Sequence, residues 1–411
     1  MLHEFSVENF RSIKERKTLC LQAQEIGEDI EGNVACELGY NILKSLSVYG
    51  ANSSGKSNLL VAFSAMRIMV TSSAKLNEGE ELFYRPFLLS ETDNEPTLFE
   101  IVFTQSGYCY RYGFTYTRYK IEEEWFYRST TPSSQEEMLF LRSLKEVETD
   151  NKLFAEGRDN EKRLNGNRLF LSLCAQLGGK ISNSLMLWFS YSLNVISGLK
   201  SGNLPFYSRN WFAKDNDNRD TALEFFKKLQ LGFENLAVRQ KQIKISFTDE
   251  GVVNTLFSIH NKYNSEGEIC GSIERNFEDM ESEGSQNLFN LTGPIFSTLH
   301  SGSVLVVDEL DAKMHPLISQ YIIRLFNNSE SNPHNAQLIF STHDTHLLSS
   351  KLLSRDQIWF TEKNPDTGVS ELYPLDSFSV RKDENIQKGY INGRYGAVPF
   401  IKDIDSWPED M

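Results

Sequence analysis

The stretch Gly50-Ala51-Asn52-Ser53-Ser54-Gly55-Lys56-Ser57 decides how the rest of the chain is read. It fits the pattern G-x-x-x-x-G-K-[ST], a glycine-rich loop that turns backbone N–H groups inward around phosphates. In that pattern Lys56 reaches the β- and γ-phosphates and the Ser57 hydroxyl ligates Mg²⁺, while Gly50, Asn52, Ser53 and Gly55 line the cradle. The flanks agree with this reading. Residues 46–49 read as a short strand, and residues 58–63 open a helix whose unpaired amides and dipole favour an anion at its start.

A chain of 411 residues exceeds the usual size of one hydrophobic core, so two lobes or one domain with a large insertion are expected. Hydrophobic content of 40% and aromatic content of 12% fit a folded protein. A net charge of −14 argues against a whole-surface affinity for nucleic acid or for an anionic membrane, and leaves room only for a local basic groove. The five cysteines are scattered and form no C-x-x-C pair, which points to reduced thiols. No signal-peptide pattern opens the chain and no window approaches 18 uninterrupted apolar residues. The expectation is a soluble, cytoplasmic protein that does not engage a membrane.

Residues 4–10 alternate as a half-buried strand does, and residues 18–21 are able to pair with them. After the phosphate loop, the runs 97–103, 108–116 and 121–127 are β-rich and separated by short turns, an antiparallel meander. From about 133 to 230 the apolar spacing turns helical, over 136–147, 169–177, 182–196 and 221–229. No heptad is sustained, so this is a compact lobe and not a coiled-coil arm. Residues 242–247 and 256–263 read as further strands.

A second chemical cluster starts at Glu281-Ser282-Glu283-Gly284-Ser285-Gln286, ahead of a helix from Asn287. Alone this string equally suits a helix N-cap. Then Val304-Leu305-Val306-Val307 reads as a strand buried on both faces, ending in Asp308-Glu309. Carboxylates at the C-terminal end of such a strand stand where α/β sheets place ligands. Asp308 would support the Mg²⁺ shell, and Glu309 would act as the base on the attacking water. A helix over 317–326 and a strand over 337–340 follow, and the strand ends in Ser341-Thr342-His343-Asp344. His343 leaves a core strand on the same sheet edge and is placed to reach a γ-phosphate. His315 and His346 read as structural.

Phosphate loop, Ser-x-Gly-Ser signature, Asp-Glu strand, Leu310-Asp311 loop and strand-ending histidine stand in an order that resembles the ATP-binding-cassette ATPases of the Rad50, SMC, RecF and OLD group. More closely the chain is similar to the RloA-like, abortive-infection AAA-type ATPases. The likeness extends over Glu8-Asn9-Phe10-Arg11-Ser12 near the start and Gly393-Arg394-Tyr395-Gly396-Ala397-Val398-Pro399 near the end. It implies an α/β fold: an ABC-type head, with a mixed sheet core and an antiparallel β subdomain, carrying a compact inserted helical lobe. The divisions expected are 1–130 and 236–411 for the two halves of the head and 131–235 for the lobe.

The resemblance further implies ATP and Mg²⁺ as cofactors. Lys56, Glu309 and His343 would be catalytic, and Ser57 and Asp308 would ligate the metal. Arg11 would lie near the nucleotide, while Ser282, Gly284 and Asp311 would complete the site of a second subunit in a head-to-tail homo-oligomer. The signature departs from the transporter form Ser-Gly-Gly-Gln, and no glutamine loop is assignable. Some 68 residues follow His343, and the Asp403-Ile404-Asp405 triplet has no strand-end setting, so a nuclease in cis is not expected. That points to a separately encoded effector, such as an RloB-family nuclease. The competing readings are a DNA-repair ATPase that clamps DNA and an ATP-gated scaffold without turnover. Arg239, Lys241 and Lys244, with Arg381, Lys382, Lys388 and Arg394, are the local basic groups available to DNA.

Overall fold

The structure, a computed structural model, describes residues 1–24, 32–91, 95–199, 203–244, 250–381 and 384–399. The chain begins with β1 (Leu2–Glu8), β2 (Lys17–Cys20), a hairpin of β3 (Val34–Glu37) and β4 (Tyr40–Leu43), then β5 (Ser45–Tyr49) and α1 (Lys56–Ser72). Next come β6 (Thr97–Gln105), β7 (Tyr108–Tyr116), β8 (Ile121–Ser129), β9 (Glu137–Ser143) and β10 (Glu146–Thr149). These five join β1 and β2 in an antiparallel sheet of order β10-β9-β8-β7-β6-β1-β2. The expected meander and the expected pairing of the first two strands are both present.

The second half holds α2 (Phe170–Gln176), α3 (Lys180–Leu187), β11 (Leu193–Ile196), α4 (Leu204–Lys214), α5 (Asn216–Leu229), β12 (Asn235–Lys244), β13 (Glu250–Tyr263) and β14 (Ile269–Asn276). Then follow α6 (Phe277–Met280), α7 (Glu283–Ser301), β15 (Val304–Val307), α8 (Pro316–Asn327), β16 (Gln337–Ser341), β17 (Ile358–Lys363), β18 (Ser370–Pro374) and α9 (Ile386–Ile391). Strands β11, β15, β16, β5 and β17 run parallel in that order, and β18 closes the edge antiparallel. Strands β12, β13 and β14 form a separate antiparallel sheet.

Alternation along each parallel strand divides its side chains between two cores. Val304, Val306, Leu46 and Val48 face α1 and, beyond it, the antiparallel sheet. Leu305, Val307, Leu338 and Phe340 face α7 and α8. Helix α1 is apolar on several sides because it lies between two sheets: Leu59, Leu60, Phe63 and Met66 are all buried. At about 1.5–3 kcal/mol for each large side chain removed from water, this one helix anchors both layers.

Two stretches differ from the helical reading. Residues 136–147 form β9 and β10, because pairing along the free edge of β8 and burial of Phe140 outweigh the helix propensity of Glu and Leu. The end of the 182–196 stretch is β11, a parallel edge strand beside β15. The helices between 170 and 229 do not share one core. Phe170, Leu171 and Leu185 of α2 and α3 join the antiparallel-sheet core, whereas Phe212, Phe225 and Phe226 of α4 and α5 join the other. Residues 403–405 lie outside the described residues.

The start of α2 is fixed by a buried ion pair. Glu124 on β8 accepts from the Phe170 amide at 2.6 Å, the Leu171 amide at 3.0 Å and the Tyr112 hydroxyl at 2.9 Å, and stands 3.4 Å from the Arg142 guanidinium. Burial pushes the Glu124 carboxyl up, and Arg142 opposes that. Glu124→Ala leaves a buried guanidinium without its counter-charge and two helix-start amides without an acceptor. It should lower stability by about 3–5 kcal/mol, read as a shift of the denaturant midpoint. An unchanged midpoint would contradict this account of the β8–α2 junction.

Candidate functional site

Register brings the candidate residues to one edge. Val307 is opposite Phe340, Phe340 is opposite Ser47 and Ser341 is opposite Val48. The segments after β5, β15 and β16 therefore leave the carboxyl edge of the sheet side by side. Gly50, Asp308 and His343 begin from neighbouring strands.

The phosphate loop is packed against residues remote in sequence. An added Cβ at Gly50 would lie 2.4 Å from the Thr361 carbonyl oxygen. Gly55 has φ 118°, and its Cβ would lie 2.4 Å from the Ser370 hydroxyl, so only glycine fits there. The Ser54 hydroxyl is 2.6 Å from that of Thr361. The Ser370 hydroxyl donates to the Ser54 carbonyl at 2.7 Å and lies 2.8 Å from the Ser12 hydroxyl. Thr361, Ser370 and Ser12 were missed in the sequence reading, because a lone Ser or Thr on a strand or turn carries no signal until its neighbours are known.

Lys56 is buried and its ammonium donates to the Gly50 carbonyl at 2.7 Å and the Ala51 carbonyl at 3.0 Å. Burial lowers its pKa to about 8, against the pull of Asp308, Glu309 and Asp311. Ser57 is exposed at the start of α1. Asn58 in the first turn donates to the Ser12 hydroxyl at 2.6 Å and accepts from Arg11 at 3.2 Å. Arg11 has φ 53°, and its amide donates to the Arg85 carbonyl at 2.8 Å. Asn52 and Ser53 are exposed on the outer rim of the loop, and Ser53 has φ 65°.

One hydroxyl organises the opposite wall. Ser341 donates to Asp308 Oδ1 at 2.5 Å and accepts from the Glu309 amide at 2.8 Å. Glu309 is exposed and held at φ 56°, a left-handed conformation that costs a non-glycine residue about 1–2 kcal/mol. Asp311 Oδ2 is 3.4 Å from the His343 amide, and its Oδ1 is buried with no hydrogen-bond partner among the described residues. The His343 imidazole is held below its ordinary pKa, first by burial and then by Lys56. His315 accepts from the Leu317 amide at 3.2 Å as the cap of α8, and His346 pairs with Asp344 at 2.8 Å.

The signature segment packs on the turn that follows Glu309. Ser282 caps α7 by accepting from the Ser285 amide at 3.2 Å. A Cβ on Gly284 would lie 2.5 Å from the Lys313 carbonyl oxygen, and Asn287 donates to the Ala312 carbonyl at 3.2 Å. The signature thus sits on the segment that carries Asp311. Of the basic groups, Arg239 is paired with Glu274 and Arg394 with Glu384. Lys382 lies outside the described residues.

The group set suits a nucleotide triphosphate with a hard divalent cation. The cradle admits no Cβ at two positions, and Lys56 has donor capacity beyond its two carbonyls. The Ser57 hydroxyl and Asp308 carboxylate are oxygen ligands of the kind Mg²⁺ takes. A family model described as "AAA domain, putative AbiEii toxin, Type IV TA system" matches residues 46–349, well over half of the 411-residue chain. No curated protein matches the chain.

Two outcomes follow from the geometry. Phosphate binding favours the charged Lys56, and above its pKa of about 8 the ligand-free site must take up a proton to bind. Nucleotide affinity without divalent cation should therefore fall as pH rises through about 8 and 9, by at most about tenfold per unit. A flat affinity across that interval would contradict the burial of Lys56. Ser341→Ala frees the Asp308 carboxylate, and the Mg²⁺ concentration for half-maximal nucleotide binding should rise by about 10-fold or more. No change would show that Ser341 does not orient the metal ligand.

Proposed function

The chain belongs to this AAA-domain family, and from that membership and the geometry we propose that it is an ATP hydrolase. In this reading its nucleotide-dependent, head-to-tail association controls a separately encoded effector in antiviral defence. The observation that carries the reading is the convergence at one sheet edge. Lys56, Asp308, Glu309, Asp311 and His343 lie close enough for the three carboxylates to act on both Lys56 and His343.

Lys56 holds the β- and γ-phosphates after exchanging the Gly50 and Ala51 carbonyls for phosphate oxygens. Mg²⁺, held by Ser57 and Asp308, would offset phosphate charge when bound. Ser341 aims the Asp308 carboxylate and fixes the Glu309 backbone, which leaves the Glu309 side chain free to take a proton from the attacking water. His343, lowered toward its neutral form, offers a ring nitrogen beside the terminal phosphate. Arg11 approaches through Asn58 in the first turn of α1.

In this reading the signature residues Ser282 and Gly284, with Asp311, would complete the site of a second copy. The product is then a change of association that an effector senses. An RloB-family nuclease is the partner class that the sequence resemblance implies. A cytoplasmic setting fits, and among the described residues no helix is long and apolar enough to cross a membrane. Two of the basic groups named for a DNA clamp, Arg239 and Arg394, are already paired with carboxylates.

Glu309→Gln should keep nucleotide affinity and lose about 10²–10⁴-fold in turnover, the share of a general base. Measured phosphate release that is equal in both proteins would remove Glu309 from catalysis. Zero release in the wild type would leave only the scaffold reading.

A further inference from the structure

His260 lies on β13, outside the nucleotide edge, and its surroundings are unusual for a surface histidine. Its Nε2 stands 2.7 Å from Glu281 Oε1 and 3.1 Å from the Ser258 hydroxyl, while its Nδ1 stands 3.1 Å from the Gly232 carbonyl oxygen. Both side chains are mostly buried, His260 at 17% and Glu281 at 7% exposure. A backbone carbonyl can only accept, so Nδ1 donates to Gly232, and Nε2 is the ring atom that meets both Glu281 and the Ser258 hydroxyl. The charged groups around it are otherwise engaged. Glu274 of β14 pairs with Arg239 of β12, Glu278 of α6 with Arg209 of α4, and Glu283 with Lys313. His260 and Glu281 thus face each other at 2.7 Å.

Glu281 directly precedes Ser282, the cap of α7. Gln286, one turn on, returns its amide to the Glu278 and Glu281 carbonyls at 2.9 Å each. The entry of α7 is therefore held from two sides, by its own first turn and by the three-stranded sheet.

We propose that His260 is a positioning residue for the signature: by clasping Glu281 it fixes where Ser282 and Gly284 point, and it ties them to the β12–β14 sheet. This rests on the reading that Ser282 completes the site of a second copy. It assigns a role to a sheet that contributes nothing to the phosphate loop. A partner that moves this sheet would reset the signature without touching the nucleotide.

The test is steady-state phosphate release with ATP and Mg²⁺, alongside ATP affinity and thermal melting, for wild type, Ser282→Ala, His260→Ala, Glu281→Ala, His260→Gln and the double variant His260→Ala/Ser282→Ala. His260→Ala and Glu281→Ala should each lower kcat about tenfold or more, with ATP affinity within about twofold of wild type. The double variant should be no slower than Ser282→Ala alone, because both changes act on one unit. His260→Gln keeps an N–H donor toward Glu281 and should retain most of the turnover. Wild-type turnover in His260→Ala, losses that add in the double variant, or equal losses in the Ala and Gln variants would overturn the clasp. If His260→Ala does not fold, Glu281→Ala and His260→Gln decide the same question. A wild type without turnover, or Ser282→Ala equal to wild type, removes the underlying reading and the clasp with it. A normal wild type and an impaired Ser282→Ala beside a normal His260→Ala remove the clasp alone.

Discussion

The parallel register of β15, β16 and β5 is the constraint from which the site follows. Val307 opposite Phe340 and Phe340 opposite Ser47 align the carboxyl ends of three strands, and each end carries one part of the chemistry. A slip by one residue would exchange Leu305 and Val307 with Val304 and Val306 between the two cores. With each side chain worth about 1.5–3 kcal/mol of burial, the hydrophobic pattern fixes the register and the register sets where the candidate site residues leave the sheet. Packing and chemistry are here one specification.

Against that frame the phosphate loop is a surface turn that needs bracing. The braces are hydroxyls: Ser12 after β1, Thr361 on β17 and Ser370 on β18. Hydroxyls suit the position because they satisfy loop groups such as the Ser54 carbonyl and hydroxyl without filling the cradle. Bringing the far end of the chain back to the loop makes β17 and β18 part of the nucleotide region. The strained backbone of Glu309 is held in the same way, by the Ser341 hydroxyl on its amide and by the turn in which the Ala312 amide reaches the Glu309 carbonyl at 3.0 Å.

Much of this was legible in the sequence because it is local. Gly50 to Ser57, the run Val304 to Glu309 and the strand ending at His343 each state their own secondary structure and their own chemistry within ten residues. What was not legible depends on partners far away. Residues 136–147 have helical spacing and become strands because β8 offers an edge. Residues 193–196 continue a helical pattern and become β11 because β15 needs a neighbour. Ser341, His260 and Glu281 were passed over or read as local sequence, since a hydroxyl or an ion pair gains meaning only from what stands 2.5–3 Å away.

The contact between the signature and the Asp311 segment carries the last step. Gly284 has no side chain because the Lys313 carbonyl occupies that space, Asn287 holds the Ala312 carbonyl, and Glu283 pairs with Lys313. From Glu309 to Lys313 the chain is a tight turn, with the Ala312 amide on the Glu309 carbonyl and the Met314 amide on the Asp311 carbonyl at 3.1 Å. The general base proposed for one site and the signature proposed for the other are therefore joined by four residues and a rigid contact. The path from Glu309 to the first turn of α7 is thus short and packed along its length. Under the proposed head-to-tail association, that path would link hydrolysis at one site to the signature that completes the other.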